Sequence, residues 1–379
     1  MTETSFEQEA AVKKRQMLTE QQQLTQWHYQ HCPEYRAIVD SLGGLRSYAS
    51  LEDLPPLAVG LFKSLELKSV ETQEVFKVLT SSGTTSAQTS RIYLDKETAQ
   101  SQSRALVKIL QSFIGKQRLP MLLVDSPVPS AGHSAFSARM VGAQGISLFG
   151  RQPIYLLDES MALDLDTFLT FCEAHQHQPV LIFGFTYMLW LHLVKALEQA
   201  GIRVSLPDAI LLHSGGWKKM HEQAVDQRHF KAAIKHTMGI TRVHDFYGMV
   251  EQTGSIYPQC EHGVLHCSDF SDILIRDLSS WQCCGIGEPG VIQTLSTLPK
   301  SYPGHNLLTE DIGMLLGEDD CPCGRAGKYF KVLGRLPKTQ QRGCSDTYVP
   351  ESLAQAKDEH VQAKAEHAVM ATGEKTHAS

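Results

Sequence analysis

Val78-Leu79-Thr80-Ser81-Ser82-Gly83-Thr84-Thr85-Ser86 decides how this chain is read. An apolar run that ends in hydroxyls around one glycine reads as a strand opening into a loop. Glycine lets backbone N–H groups come close to an anion, and the hydroxyls add further donors. It is not a Walker loop, because no Gly-Lys-Ser/Thr follows at the needed spacing. On this segment alone a phosphate cradle and a plain surface turn both stay open.

Outward from that loop, short apolar runs alternate with longer amphipathic ones. Strands are expected at Val75–Leu79, Met121–Val124, Ile154–Leu157, Val180–Phe183, Ala209–Leu212 and Val243–Phe246. Helices are expected at Lys96–Phe113, Asp164–Ala174, Thr186–Gln199 and Lys218–His236. This alternation predicts an α/β domain of layered sheets and helices with a largely parallel sheet. From Asp272 the rhythm turns to strand–turn–strand, at Ile273–Ile275, Gly290–Leu295, Asn306–Leu308 and Tyr329–Leu333, which predicts a small antiparallel β subdomain over about 272–335. The expected organisation is a polar helical region at 1–60, a main domain at 61–335, and a short C-terminal segment with a solvated tail at 336–379.

Three more segments carry chemistry. Ser214-Gly215-Gly216 follows an apolar run and lets a planar group lie against the main chain. His244-Asp245-Phe246-Tyr247-Gly248-Met249-Val250-Glu251 puts an aromatic, a glycine and an acid at a strand end. Leu308-Thr309-Glu310-Asp311 offers a carboxylate in a turn. Each also reads as an ordinary strand end, and it is their order along the chain that is informative.

In that order the segments resemble the adenylate-forming enzymes, the fold shared by acyl-CoA synthetases and nonribosomal adenylation domains. The resemblance implies that Ser81, Ser82, Gly83, Thr84 and Thr85 wrap the phosphates of ATP. It implies that Ser214, Gly215, Gly216 and Tyr247 line the adenine, that Glu251 reaches Mg²⁺ and that Asp311 holds the ribose hydroxyls. Gly334-Arg335 matches the family hinge. Two departures stand out. The loop's lysine is missing, since Ser86-Ala87-Gln88-Thr89 follows Thr85, and Arg91 is the nearest cation along the chain. The stretch after Arg335 is also too short for the mobile C-terminal domain that brings a catalytic lysine, which leaves the main-domain contacts, or Lys338 as a substitute, to orient the reaction.

The short C-terminus, Gly215-Gly216-Trp217-Lys218, the Asp245–Glu251 stretch and Thr339-Gln340-Gln341-Arg342-Gly343-Cys344 look most like the LuxE acyl-protein synthetases. That resemblance implies adenylation of a carboxylic acid, a fatty acid in that family. Transfer to the enzyme's own Cys344 follows, with delivery to an acyl reductase or acyl carrier protein. Arg342 would favour the Cys344 thiolate. Two rival readings are a ligase like phenylacetate-CoA ligase that loads CoA or a carrier thiol, and a non-catalytic zinc-stabilised scaffold. An acyl pocket from His133, Phe183, Phe185 and Tyr187 is one reading of those residues and sheet packing the other.

Cys260-Glu261-His262 to His266-Cys267 and Cys321-Pro322-Cys323 form two knuckles. Zn²⁺ takes four Cys or His ligands in a tetrahedron, and short pairs from two loops commonly supply them. Cys260, His266, Cys321 and Cys323 are the expected set, with His262 or Cys267 as alternates and unrelated thiols as the plain reading. The other numbers exclude classes of function. With 35 Lys+Arg against 41 Asp+Glu and one short basic run, Lys13-Lys14-Arg15, the chain has no electrostatic footprint for nucleic acid. No apolar run approaches the ~20 residues of a membrane span. Nine cysteines, an odd count, with a polar N-terminus, point to free thiols and the cytoplasm.

Overall fold

The computed structural model describes residues 5–81, 89–127, 136–217 and 224–336. Its central sheet has the spatial order Tyr257–Pro258, Arg242–Tyr247, Ile210–Ser214, Leu181–Phe185, Leu119–Val124, Gly150–Tyr155. Neighbours run parallel except the first pair, which is antiparallel. Because strand side chains alternate, Leu122, Ile182, Leu211 and Val243 join one core with Phe168, Leu193 and Phe230. Leu123, Phe183 and Leu212 join another, on the opposite face, with Ile109, Phe113 and Ile146. Burial on both faces is why these strands read as unbroken apolar runs.

The helices start where short acids cap them. The carboxylates of Asp95, Asp164 and Asp226 accept from the backbone N–H of Thr98, Thr167 and His229, opening Lys96–Ile114, Leu165–His175 and Gln227–Met238. The last of these begins later than the expected Lys218, at its Asp226 cap. The helix expected from Thr186 runs to Ala200, with its middle turn, Leu189–Val194, widened into a π-helix.

A second sheet is antiparallel, in the order Leu265–His266, Lys328–Arg335, Asn306–Glu318, Pro289–Ser296, Ser271–Arg276, and Leu57–Ala58 adds a parallel strand beside Leu307 and Leu308. The expected turn at Thr309–Asp311 lies inside the continuous strand Asn306–Glu318. Val291 pairs with Ile312 and Gln293 with Leu308, so Thr309, Glu310 and Asp311 all oppose Ile292. This is a β-bulge, a device that re-aims a side chain without ending a strand. A third, small sheet joins the hairpin Lys77–Thr80 and Arg91–Leu94 to Phe136–Ser137.

The helix Ala10–His31 covers the antiparallel sheet with a buried stripe of Lys13, Met17, Gln21, Thr25 and His28. Gln21 Nε2 donates to the carbonyls of Ser296 and His305 at 2.8 and 3.1 Å, and Trp27 Nε1 donates to that of Lys300 at 2.9 Å. Pro33, whose ring suits the first turn of a helix, starts Pro33–Ser41. Among the described residues no helix is long and apolar enough to cross a membrane.

Candidate active site

Ser214 and Tyr247 end two of the parallel strands at the carboxyl edge of the central sheet, where α/β folds generally place ligands. Ser214 closes Ile210–Ser214, and its Oγ donates to the Phe246 carbonyl at 2.7 Å, tying two strand tips together. Gly215 follows with φ +80°, a conformation side chains avoid, and a Cβ there would also stand 3.2 Å from the Phe185 ring. Tyr247 ends the next strand. Its hydroxyl donates to Asp311 Oδ2 at 2.7 Å, joining the central sheet to the bulge of the antiparallel one. The bulge is itself fixed: Thr309 Oγ1 donates to the Ile292 carbonyl at 2.7 Å and accepts from the Asp311 amide at 3.1 Å. Burial raises the Asp311 carboxyl, and the Tyr247 bond and Arg335 pull it back. Arg335 lies opposite Asp311 in register, yet its guanidinium donates to Glu310 Oε2 at 2.8 Å.

Glu251 sits in the turn Val250–Gln252 and is 6% exposed. Burial pushes its carboxyl up, and the Ser90 hydroxyl, its own amide, Lys63 and Arg335 oppose the rise. Ser90 Oγ is buried and makes no hydrogen bond of full geometry, yet it lies close enough to the Glu251 carboxyl to stabilise its charge. A Cβ at residue 304 would meet the Glu251 carbonyl at 2.7 Å, so Gly304 permits that close approach. Ser81 stands at the base of the hydroxyl loop. Its amide donates to the Ser90 carbonyl at 3.2 Å, and its Oγ accepts from the Ser90 amide at 3.0 Å. Ser82, Gly83, Thr84 and Thr85 lie outside the described residues, as do His133, Lys218, Lys338, Arg342 and Cys344. The structure thus brings Ser214, Gly215, Tyr247, Asp311 and Arg335 to one edge, with Ser81 and Glu251 near Ser90.

Sequence reasoning passed over a buried polar group beneath this edge. Thr186 Oγ1 meets His213 Nδ1 at 2.9 Å, and Asp245 Oδ1 lies 3.5 Å from the same nitrogen. Burial pushes His213 down to about 3 and Asp245 up to about 7. Asp245 keeps a third of its side-chain surface accessible, but its Oδ1 is shielded and unpartnered. The signal was a histidine closing an apolar strand beside an acid in the next.

The ligand atoms of Cys260, His266, Cys321 and Cys323 all lie within 4.8 Å of one another. Cys260 Sγ stands 4.0 Å from Cys321 Sγ, and Cys323 Sγ stands 3.3 Å from His266 Nε2. Bonds of ~2.3 Å from zinc to sulfur set sulfur atoms roughly 3.8 Å apart in a tetrahedron. Burial pushes the Cys321 thiol up to about 12. Cys267 belongs elsewhere, packed with Tyr257 and Phe330. His266 is fully buried, and its Nδ1 has no partner.

The model of the LuxE acyl-protein synthetases matches residues 2–353. The chain belongs to that family. It is 23% identical over 351 residues to a long-chain-fatty-acid–luciferin-component ligase of Vibrio harveyi, covering 86% of this chain and 88% of that one. Among solved structures, 2-hydroxyisobutyryl-CoA ligase in its postadenylation state with 2-HIB-AMP superposes with a TM-score of 0.69 at 18% identity, over 87% of this chain and 69% of the other. An open conformation of that ligase with 2-HIB-AMP and CoA gives 0.67 at 17% identity, over 87% and 76%. At such identity the likeness establishes the fold, that of the adenylate-forming ligases.

Proposed function

We propose that the chain adenylates a carboxylic acid, a fatty acid, at the expense of ATP and moves the acyl group to Cys344 for delivery to an acyl reductase or acyl carrier protein in the cytoplasm. The observation that carries this reading is the Tyr247–Asp311 bond. It sets an aromatic ring and a carboxylate, the two groups this reading assigns to adenine and ribose, at the carboxyl edge of a parallel sheet.

Two anions must meet in the first step. A carboxylate oxygen bonds to the α-phosphorus while the bond from that phosphorus to the β-phosphate oxygen breaks. Pyrophosphate leaves with the electron pair, and no proton moves. Preorganised donors offset the charge. The hydroxyls and amides of Ser81, Ser82, Gly83, Thr84 and Thr85 serve the phosphates, while Ser214, Gly215 and Gly216 offer the adenine a flat wall. The hydroxyl of Tyr247 holds the Asp311 carboxylate in one rotamer, so the ribose meets an acceptor already oriented. In the second step the Cys344 thiolate bonds to the acyl carbon, and AMP leaves with the electrons of the carbon–oxygen bond.

Glu251 and the Ser90 hydroxyl are the oxygen donors suited to Mg²⁺, which prefers such hard ligands and neutralises phosphate charge when bound. A buried carboxylate beside a hydroxyl with no full hydrogen bond fits that ion. Cys260, His266, Cys321 and Cys323 fit Zn²⁺, and four protein ligands leave no open position, so the ion would be structural. It would clip the turn after the central sheet's edge to the hairpin of the antiparallel sheet.

Carboxylate-dependent exchange of labelled pyrophosphate into ATP, screened over a panel of acids, tests the first step. Cys344→Ser is expected to keep that exchange and lose the gel-stable acyl-protein. Retention of the acyl-protein would hand the acceptor role to another group, and absence of exchange with every acid would leave a scaffold.

A further inference from the structure

The hydroxyl loop lacks its lysine, and the cations on the elements around Ser81 and Glu251 differ in what they already hold. Arg91 pairs in register with Thr80 but is exposed and acts on Glu66. Arg335 is 65% exposed at its side chain and bonded to Glu310. Lys63 is half-buried, and among the described residues no carboxylate lies within ion-pairing distance of it.

The backbone carries Lys63 to the site. Leu57–Ala58 pairs with Leu307 and Leu308, and the Val59 amide donates to the Leu308 carbonyl at 2.9 Å, so the next turn, Leu61–Ser64, begins beside the bulge that bears Asp311. A Cβ on Gly60 would stand 3.8 Å from Glu310 Oε1. Phe62 is fully buried, its ring 6.1 Å from that of Tyr302, in one cluster with Leu79 and Val250. Leu79 is two residues before Ser81, and Val250 directly precedes Glu251. Phe62 anchors the turn between those two elements, and the charge of the next residue, Lys63, lowers the Glu251 carboxyl.

We propose that Lys63 is the phosphate cation that replaces the missing loop lysine. Its ammonium pairs with β- and γ-phosphate oxygens of ATP and holds the charge that collects on pyrophosphate as it leaves. This rests on the adenylation reading and names a residue for it from outside the 80–335 stretch that carries the family motifs. The same charge works on Glu251, so the ammonium and the buried carboxylate serve one triphosphate site.

Calorimetric binding of magnesium AMP-PNP and of AMP, together with pyrophosphate exchange, tests this on the full chain. Lys63→Gln is expected to weaken AMP-PNP about tenfold and leave AMP within about twofold, since AMP lacks the phosphates concerned. Its exchange kcat should fall by about 10²-fold, the usual effect of removing one preorganised donor. Lys63→Arg should recover most of the AMP-PNP affinity, and Lys68→Gln, on the same segment, should match the wild type. Unchanged AMP-PNP binding in Lys63→Gln, or equal weakening of both nucleotides, overturns the assignment. Wild-type protein that binds AMP-PNP but exchanges with no acid would defeat the adenylation reading and leave the binding arm to judge Lys63.

Discussion

The two large sheets are held by different forces. The central sheet is sealed by apolar side chains on both faces, with Leu122, Ile182 and Leu211 fully buried. The antiparallel sheet has a polar layer at its heart: Arg276 Nε donates to Gln293 Oε1 at 2.7 Å, Gln293 Nε2 to Asn306 Oδ1 at 2.8 Å, and Gln252 Nε2 to the Gly304 carbonyl at 2.8 Å. Burial of hydrocarbon is indifferent to direction, whereas hydrogen bonds fix angle and register. The first sheet is therefore a platform, and the second a jig that sets the bulge of Asp311 against Tyr247.

Swaps that conserve volume sharpen that contrast most. Leu211→Met should cost less than ~1.5 kcal/mol, because a core accepts an apolar group of similar size. Gln293→Leu, equally conservative in shape, strands the Arg276 Nε–H and the Asn306 Oδ1, and should cost about 3 kcal/mol. Urea unfolding of the two variants measures the difference, and equal costs would break the comparison.

Acid acts on both sheets, on the central one through the buried His213 and on the second through a pair of buried histidines. His28, on the buried face of the N-terminal helix, stacks at 4.9 Å on His305 beneath it, and burial holds His305 down to about 3 and His28 well below the usual range. The unfolded chain takes up protons near pH 6.5 while the folded one does not, so stability is full above that pH and falls as pH drops toward the folded value. By pH 5 the loss is about 2 kcal/mol for His305. His305→Gln should flatten the fall in thermal midpoint between pH 7 and 5, and an unaltered slope would place the sensitivity elsewhere.

The smallest effect belongs to the central sheet's helices. Asp95→Ala removes the acceptor for the Thr98 amide, 2.7 Å away. It should cost about 1 kcal/mol at any pH above the carboxylate range. A loss well beyond that, measured by thermal unfolding, would mean the cap also holds tertiary structure.

The same contrast governs what the sequence could reveal. Doubly buried strands announce themselves, and Met121–Val124 or Ala209–Leu212 was legible to within two residues. The helix Ala10–His31 was legible as a helix but not by the face it buries. Its exposed side carries Val12, while Lys13, Gln21 and His28 are inside, a pattern that periodicity in hydrophobicity cannot register. Thr309-Glu310-Asp311 looked like a turn because those residues favour turns, and pairing with Ile292 turned the irregularity into a bulge. Tyr247, Glu251 and Asp311 were singled out by the order of motifs, whereas Lys63 sits in a four-residue turn with no motif of its own. Its placement depends on a two-residue strand that only the tertiary structure supplies.

The helix Ala10–His31 has a consequence for biosynthesis. Its partners, Ser296, Lys300, His305 and Asp319, lie more than two hundred residues downstream, so the ribosome makes the helix early and its docking surface late. Contacts so distant in sequence slow folding and prolong the exposure of nascent segments. Lys13, Gln21, Thr25 and His28 make that wait tolerable: a buried face made of groups that water also welcomes can stand in solvent without recruiting a wrong neighbour.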